Sequence, residues 1–389
     1  MNPQTSGSPQ ARLPGGSGPA KVPFARRSLV NDRVRLAISV GALAFAVLLV
    51  LLLRAIMDGT VRKSTSYIDN VGADVFVARP GVTNMTLAVS TLPEEAVGQL
   101  AAQPGVAQAG GIVRLNAVVG AGDETRPGIL IGYDPEQRLG GPWHITAGSG
   151  VEGPGDAVLD TVLADELGVE LGDTIFVAGG EFEVAGLSTG TASIAGKAVF
   201  VQLHRAQELL QLTGIVSFIL LRLDPGVGAP AFASSLAAAQ QDLEVMSRET
   251  LSGNDRTLLA RLFIQPVNVM STVGFLVGLA IVGLTMYTTT SERLHDFGVL
   301  KAIGAPNGFL FRTVMVQALY LGCTGFVLGF AAVAGAGPLI VRAVPDIGVH
   351  VSISSAVTVL ASVLGMSLAG AIAPVVRILG VDPLVVFKR

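Results

Sequence analysis

The chain has 389 residues, half of them hydrophobic and only 14% charged, with a mean hydropathy of +0.60. A soluble chain carries about a quarter charged residues, so this composition excludes an ordinary soluble globule and calls for membrane spans. The net charge of −3 gives no sign of a nucleic-acid partner, and a single cysteine excludes a disulfide framework.

Residues 1–22 are rich in Pro, Gly and Ser and read as a disordered cytoplasmic tail. Over 23–35, Phe24, Leu29 and Val34 alternate with Arg26, Arg27 and Arg33, which fits an amphipathic basic helix on the inner leaflet or a plain basic flank. Leu36–Leu53 is an uncharged run of 18 residues between Arg35 and Arg54, and it predicts a first span over 36–57. Arg54 rather than a small-residue cleavage site follows the run, so the segment reads as a retained span and not a signal peptide.

Residues 58–261 form a polar block outside the bilayer. Residues 54–263 hold 13 Lys/Arg and 24 Asp/Glu, whereas the rest of the chain holds 13 basic residues and 5 acidic ones. The short basic flanks (Arg26 to Arg35; Arg293, Lys301 and Arg312; Arg377, Lys388 and Arg389) belong on the cytoplasmic side. Both termini are then expected in the cytoplasm, with the acidic block outside.

The block shows a weak duplication. Asp74–Ala78 reads as a strand, Pro93–Gln103 as a helix with Thr91 as its cap, and Val106–Leu115 as a returning strand. Ser217–Leu223, Pro230–Leu243 and Glu244–Met246 repeat that order. Between them lies a Gly-rich stretch. It has expected strands at Gly128–Gly132, Thr174–Ala178, Phe182–Leu187 and Ala198–Gln202, a helix over Asp160–Leu167, and a turn at Gly172-Asp173. Three further uncharged runs, Leu262–Thr290, Thr313–Val341 and Ile347–Val376, predict spans at 262–290, 313–338 and 351–376, with an outer loop over 339–350 and a cytoplasmic tail over 377–389.

Few motifs point to chemistry. Gly148-Ser-Gly150-Val-Glu-Gly153 matches a dinucleotide fingerprint, but Pro154 and Gly155 forbid the helix it needs, so it reads as a loop. Gly190 to Lys197 has one residue too many for a phosphate loop and is followed by Ala198, where a hydroxyl would be required. His144, His204, His295 and His350 are scattered, so no metal site is expected. Asn268, Ser271, Thr272, Thr285, Gln317 and Thr324 are small polar residues of the kind that join membrane helices rather than line an ion path.

The informative stretch is the cytoplasmic segment 291–312. Glu292, Arg293, Asp296 and Lys301 are charged; Phe297, Val299, Leu300 and Ile303 are apolar; Gly304-Ala305-Pro306 stops the helix. A short amphipathic helix at a membrane surface suits a docking element, and a stop-transfer flank is the other reading. This stretch, SERLHDFGVLKAIGAPNGFLFRTVMVQAL, resembles the signature after the second span of MacB/FtsX-type (mechanotransmission, DevC-like) ABC permeases. The match lies on Glu292, Arg293, Phe297, Gly298, Leu300, Lys301, Ala302, Ile303, Gly304 and Ala305. Asp296 stands where Glu is usual, and Gln317 where the family often has Glu. RRSLVNDRVRLAISVGALAFAV, VLADELGVELGDTIFVAGGEFEVAGL and PVVRILGVDPLVVFKR resemble the family's first-span entry, MacB-like periplasmic core and tail.

The resemblance implies a membrane protein with four transmembrane α-helices and one α+β extracytoplasmic domain. That domain would be a Porter-like β-α-β pair (58–115 and 213–261) with an inserted, mostly β, Sabre-like unit (116–212). Asp58–Asn70 and Thr250–Arg261 would be helical stalks, although Gly59 and Gly253 weaken continuous helices there. It further implies no catalytic site and no cofactor in this chain, with ATP and Mg bound by a separate ABC ATPase present in two copies. The other implied partners are a second permease chain (a homodimer), a periplasmic adaptor or cell-wall hydrolase, and the lipid bilayer. The location would be the bacterial cytoplasmic (inner) membrane. The expected function is export of an amphiphile, peptide, lipid or drug, with hydrolase regulation or lipoprotein release as alternatives.

Overall fold

The structure, a computed structural model, describes residues 33–193, 196–344 and 347–380. The expected tail over 1–22, most of the expected amphipathic helix over 23–35, and residues 381–389 lie outside the described residues. The chain divides into two compact units. One takes residues 45–276 and 327–362; the other takes the described residues up to Ala44, Val277–Phe326, and those from Val363 onward.

The larger unit holds the extracellular domain and the outer portions of the membrane helices. After α1 (Arg33–Ser64) and α2 (Ser66–Asn70) come β1 (Val75–Ala78), β2 (Leu92–Pro93), α3 (Glu95–Ala101), β3 (Val106–Ala121) and β4 (Glu124–Tyr133). Next are β5 (Ile145–Gly148), β6 (Asp156–Asp160), α4 (Thr161–Leu167), β7 (Thr174–Val177), β8 (Gly180–Ser188), β9 (Lys197–Gln202) and α5 (Leu203–Leu209). The domain closes with β10 (Ile215–Val216), β11 (Phe218–Leu223), α6 (Ala229–Ala239) and β12 (Glu244–Ser247), and α7 (Arg248–Glu292) leaves it.

One long strand organises the domain. The first half of β3 pairs antiparallel with β11 (Phe218 opposite Ile112), and β11 continues through β1 to β12. The second half of β3 pairs with β4 (Leu115 opposite Leu130). From β4 the pairing runs through β9, β6, β8 and β7 and returns to β3, so these six strands close on themselves. Closure leaves no edge within that ring. The expected boundary between 115 and 116 therefore falls inside β3, because a strand that alternates faces can serve two sheets without a break.

Burial follows the strand patterns. The middle of β9 (residues 198–201) and most of β11 are apolar and buried on both faces, whereas β8 alternates buried and more exposed residues. Val119, Leu130, Leu159, Ile175, Phe182 and Val199 fill the six-stranded ring. A second cluster, including Phe76, Ile112, Phe200, Phe218 and Leu220, joins the two parts of the sheet. Asp160 caps α4 by accepting from the Val162 amide at 2.9 Å, and Gly168 ends it at φ +66°. Lys197 pairs with Glu166 on α4 at 2.9 Å.

Several sequence expectations change. Thr91 caps nothing: Leu92–Pro93 forms β2 against β10, and α3 begins only at Glu95. β5 and β6 were not anticipated, since short strands in a Gly-rich stretch carry little periodicity. Gly59 and Gly253 lie inside continuous helices, because tertiary packing outweighs their low propensity. The third membrane helix, α9 (Asn307–Ala343), passes through Pro338, so the outer loop begins after Ala343 rather than at 339. The fourth span starts at Ile353 and is divided into α10 (Ile353–Gly370) and α11 (Ile372–Leu379).

The smaller unit packs helix on helix through small residues. Leu43 lies against Gly278 and Gly325, Gly322 against Ser367, and Gly283 against Gly370. A Cβ on Gly322 would sit 2.4 Å from the Ser367 hydroxyl. Without water to expel, close backbone approach of this kind supplies the attraction between helices in lipid.

Phe200 lies at the centre of an aromatic group, edge-on to Tyr133 (6.2 Å between centroids) and stacked on Tyr67 of α2 (6.4 Å). Phe200→Ala is expected to destabilise the extracellular domain by about 3–5 kcal/mol, seen as a lower thermal midpoint in the full chain.

Candidate functional site

The first feature of the site is the junction where α7 leaves the sheet. α7 starts at Arg248, directly after β12, and runs 45 residues to Glu292. About two turns in, three neighbouring side chains fasten it in different directions. Asn254 donates to the Thr83 carbonyl at 3.0 Å. Asp255 is fully buried and accepts from the Met85 amide at 3.0 Å and the Thr86 hydroxyl at 2.9 Å. Arg256 donates to the Thr65 hydroxyl at 3.0 Å and to the Asp69 carboxylate at 2.5 Å. Consecutive helical residues point about 100° apart, so one turn of α7 grips both the loop 83–86 and the stalk of α1 and α2.

The electrostatics of this junction follow from burial. Desolvation pushes the Asp255 carboxyl above the usual carboxylate range, while its two hydrogen bonds and the nearby Arg114 pull it back part of the way. Arg114 on β3 donates to the Met85 carbonyl at 3.0 Å; its own pKa is lowered by burial, against which Asp255 acts. Tyr67 of α2 donates to the Gly140 carbonyl at 2.8 Å, and burial of its hydroxyl raises its pKa well above that of an ordinary phenol. Asp255, Arg114 and Tyr67 thus each have a hydrogen-bond partner, as a low-dielectric site favours.

A second fastening joins α1 to the loop before α10. The Ser352 and Ser355 hydroxyls both donate to the Asp58 carboxylate at 2.7 Å. The His350 amide donates to the Ala55 carbonyl at 2.9 Å, and Arg62 Nη1 lies 2.8 Å from the His350 ring nitrogen Nε2. Gly59 and Gly348 touch backbone to backbone: a Cβ on Gly59 would fall 2.3 Å from the Gly348 carbonyl carbon. Here Gly59 is required because no side chain fits.

The smaller unit carries the segment singled out from sequence. Glu292 ends α7, Arg293 leaves helical geometry (φ −102°, ψ 16°), and α8 (Leu294–Ala302) follows. Gly304 at φ +97° turns the chain; its amide reaches the Lys301 carbonyl, and the Ala305 amide reaches that of Leu300. The expected apolar side is divided. Phe297 and Gly298 are buried, Val299 and Leu300 half-buried, and Ile303 is 80% exposed. Glu292 and Asp296 are exposed, and Arg293, Lys301 and Ala305 are half-buried. Arg377 of α11 bonds the Tyr287 hydroxyl and Ser291 Oγ (3.1 Å) and lies over the Tyr287 ring, tying the last helix to the start of this segment. Asp58, Asp255, Arg114 and Arg256 carried no signal in sequence, being four charges among the 37 in residues 54–263.

Among the described residues, four helices long and apolar enough to cross a membrane, one mixed α/β domain after the first, and a short helix between the second and third define a multi-pass membrane protein. The family model described as the MacB-like periplasmic core domain matches residues 36–239, and that described as the FtsX-like permease C-terminal matches residues 268–383. The chain belongs to this MacB/FtsX-type family of ABC transporter permeases, whose ATPase is a separate partner. An ABC transporter permease of Mycobacterium tuberculosis is 26% identical over 367 residues, covering 92% of this chain and 97% of that protein. One from Methanocaldococcus jannaschii is 23% identical over 168 residues, covering 41% and 42%. The periplasmic region of MacB from Actinobacillus actinomycetemcomitans covers 48% of this chain and 94% of that one, at 13% identity and a TM-score of 0.38. The extracellular domain of the noncanonic transporter YknZ from Gram-positive bacteria covers 45% and 99%, at 14% identity and a TM-score of 0.35.

Asp255→Ala leaves two buried donors without an acceptor and is expected to cost about 3 kcal/mol, read as a lower unfolding midpoint. Asp255→Asn isolates the titration. A raised folded-state pKa contributes stability that is present in acid and lost as pH rises through it, so the wild-type midpoint minus that of Asp255→Asn should fall with rising pH. Gly59→Ala should push the 348–352 loop off α1. Amide exchange at His350 is then expected to quicken by roughly tenfold or more, and unchanged protection would refute the contact.

Proposed function

We propose that this permease converts ATP-driven movement of a cytoplasmic ATPase pair into movement of its extracellular domain, and that the work is done on an amphiphile, peptide, lipid or drug outside the bilayer. The observation that carries this reading is the unbroken α7, which begins at the last strand of the extracellular domain and ends at the cytoplasmic segment. A continuous helix is a stiff connection between two places, since its backbone hydrogen bonds are internal to it, here with one donor missing at Pro266. The grip of Asn254, Asp255 and Arg256 supports the same reading, because a displacement of α7 is passed to the sheet rather than lost in a loose joint.

In this reading α8 is the coupling helix. Ile303, Asp296 and Glu292 are exposed on it or beside it and would meet the ATPase, while the buried Phe297 and Gly298 hold the segment to its own unit. Both termini are cytoplasmic, following the basic flanks. Two permease chains act with two ATPase subunits. ATP and Mg belong to the ATPase, and this chain supplies no catalytic group.

The exposed Ile303 makes a sharper test than the half-buried Leu300. Ile303→Asp places a charge at the docking surface without touching the interior. Tagged wild-type permease, purified in mild detergent, is expected to bring down a stoichiometric ABC ATPase, and Ile303→Asp to lose at least tenfold of it with the extracellular domain still folded. Equal recovery of ATPase by the two proteins would overturn the coupling assignment.

A further inference from the structure

Among the described residues five buried side-chain polar atoms lack a hydrogen-bond partner, and two of them face the same level of one pair of membrane helices. They are Arg54 Nε on α1 and Ser271 Oγ on α7. The two helices run antiparallel: Arg256 meets Thr65 and Asp69 at one end, and Val50 packs against Gly274 further along, where a Cβ on Gly274 would lie 2.4 Å from Val50 Cγ2. Arg54 is four residues outward from Val50 and Ser271 three residues outward from Gly274. At 1.5 Å per residue they share a level to within about 2 Å.

The depth of that level is set by α1 itself. Asp58 meets Ser352 and Ser355 where the last span begins, and Arg54 is one turn further in, about 6 Å along the axis. The acid one turn from Arg54 is Asp58, and its Oδ2 accepts from both of those hydroxyls, which turns it toward the start of the last span. An arginine just below the outer surface of a bilayer reaches outward to the headgroup region and needs an anion there.

We propose that Arg54 and Ser271 form a site for the phosphate headgroup of an anionic phospholipid in the outer leaflet. The guanidinium takes the phosphate through its planar fork, and the Ser271 hydroxyl takes a neighbouring ester or phosphate oxygen. The acyl chains lie along the exposed outer surface of α7, where Val269, Met270 and Val273 are all uncovered. The site is independent of the ATPase coupling described above and stands or falls separately from it.

The test uses the full chain, delipidated in mild detergent and examined by native mass spectrometry with phosphatidylglycerol, phosphatidylcholine or inorganic phosphate added. Wild type is expected to retain phosphatidylglycerol in preference to phosphatidylcholine. Arg54→Gln should lower that retention at least tenfold, Ser271→Ala severalfold, and Arg54→Lys less than Arg54→Gln. Equal phosphatidylglycerol retention by wild type and Arg54→Gln would overturn the site. So would Arg54-dependent binding of inorganic phosphate that displaces the lipid, which would make the ligand a solute. Conversion of dimer to monomer by Arg54→Gln with lipid retention unchanged would give the site to a second copy of the chain. Should Arg54→Gln fail to fold, Ser271→Ala and Arg54→Lys carry the same comparison.

Discussion

The extracellular domain depends on a carboxylate held without water. Asp255 sits about two turns into a 45-residue helix and satisfies two donors of a loop that belongs to the sheet. Exposed, the same contacts would contribute little, because water competes for every donor. Buried, each becomes obligatory, since no water can replace a partner that is lost. That is how a single turn of helix makes a rigid joint out of hydrogen bonds that are individually weak. Arg256, one residue on, binds the stalk with an exposed pair that contributes direction more than energy.

Continuity of the backbone extends the effect. Helix α7 contains Gly253 and Pro266, either of which could have interrupted it, and it runs through both. Strand β3 plays the corresponding part in the sheet, giving its first half to β11 and its second to β4. Together they leave the extracellular domain few places to bend. The aromatic group of Tyr67, Phe200 and Tyr133 fills the space between stalk and sheet, so the stalk is packed as well as hydrogen-bonded. The outer loop is held differently, by hydroxyls on Asp58 and by two glycines in backbone contact.

The short capped helix after the second span was legible in sequence because its signals are local. Charge at Glu292 and Arg293, an apolar run, and Gly304-Ala305-Pro306 as a stop are all within a dozen residues, and helix caps obey nearest-neighbour rules. Which of its apolar residues face outward was not legible. Phe297 and Ile303 look alike as hydrophobic positions, yet one is buried and the other 80% exposed. That difference depends on the neighbouring helices and not on spacing.

By itself the sequence determined the number of membrane helices, the side on which the acidic block lies and the alternation of strands and helices within it. Each of these rests on summed hydrophobicity and charge over windows of ten to twenty residues. Only the tertiary structure decided that β3 serves two sheets, that six strands close into a ring, and that Asp255 rather than any other acid of the block carries the joint. Those outcomes come from contacts between residues far apart in the chain, such as Asp255 with Met85, and the energy of such a contact depends on exclusion of water that no single segment can arrange.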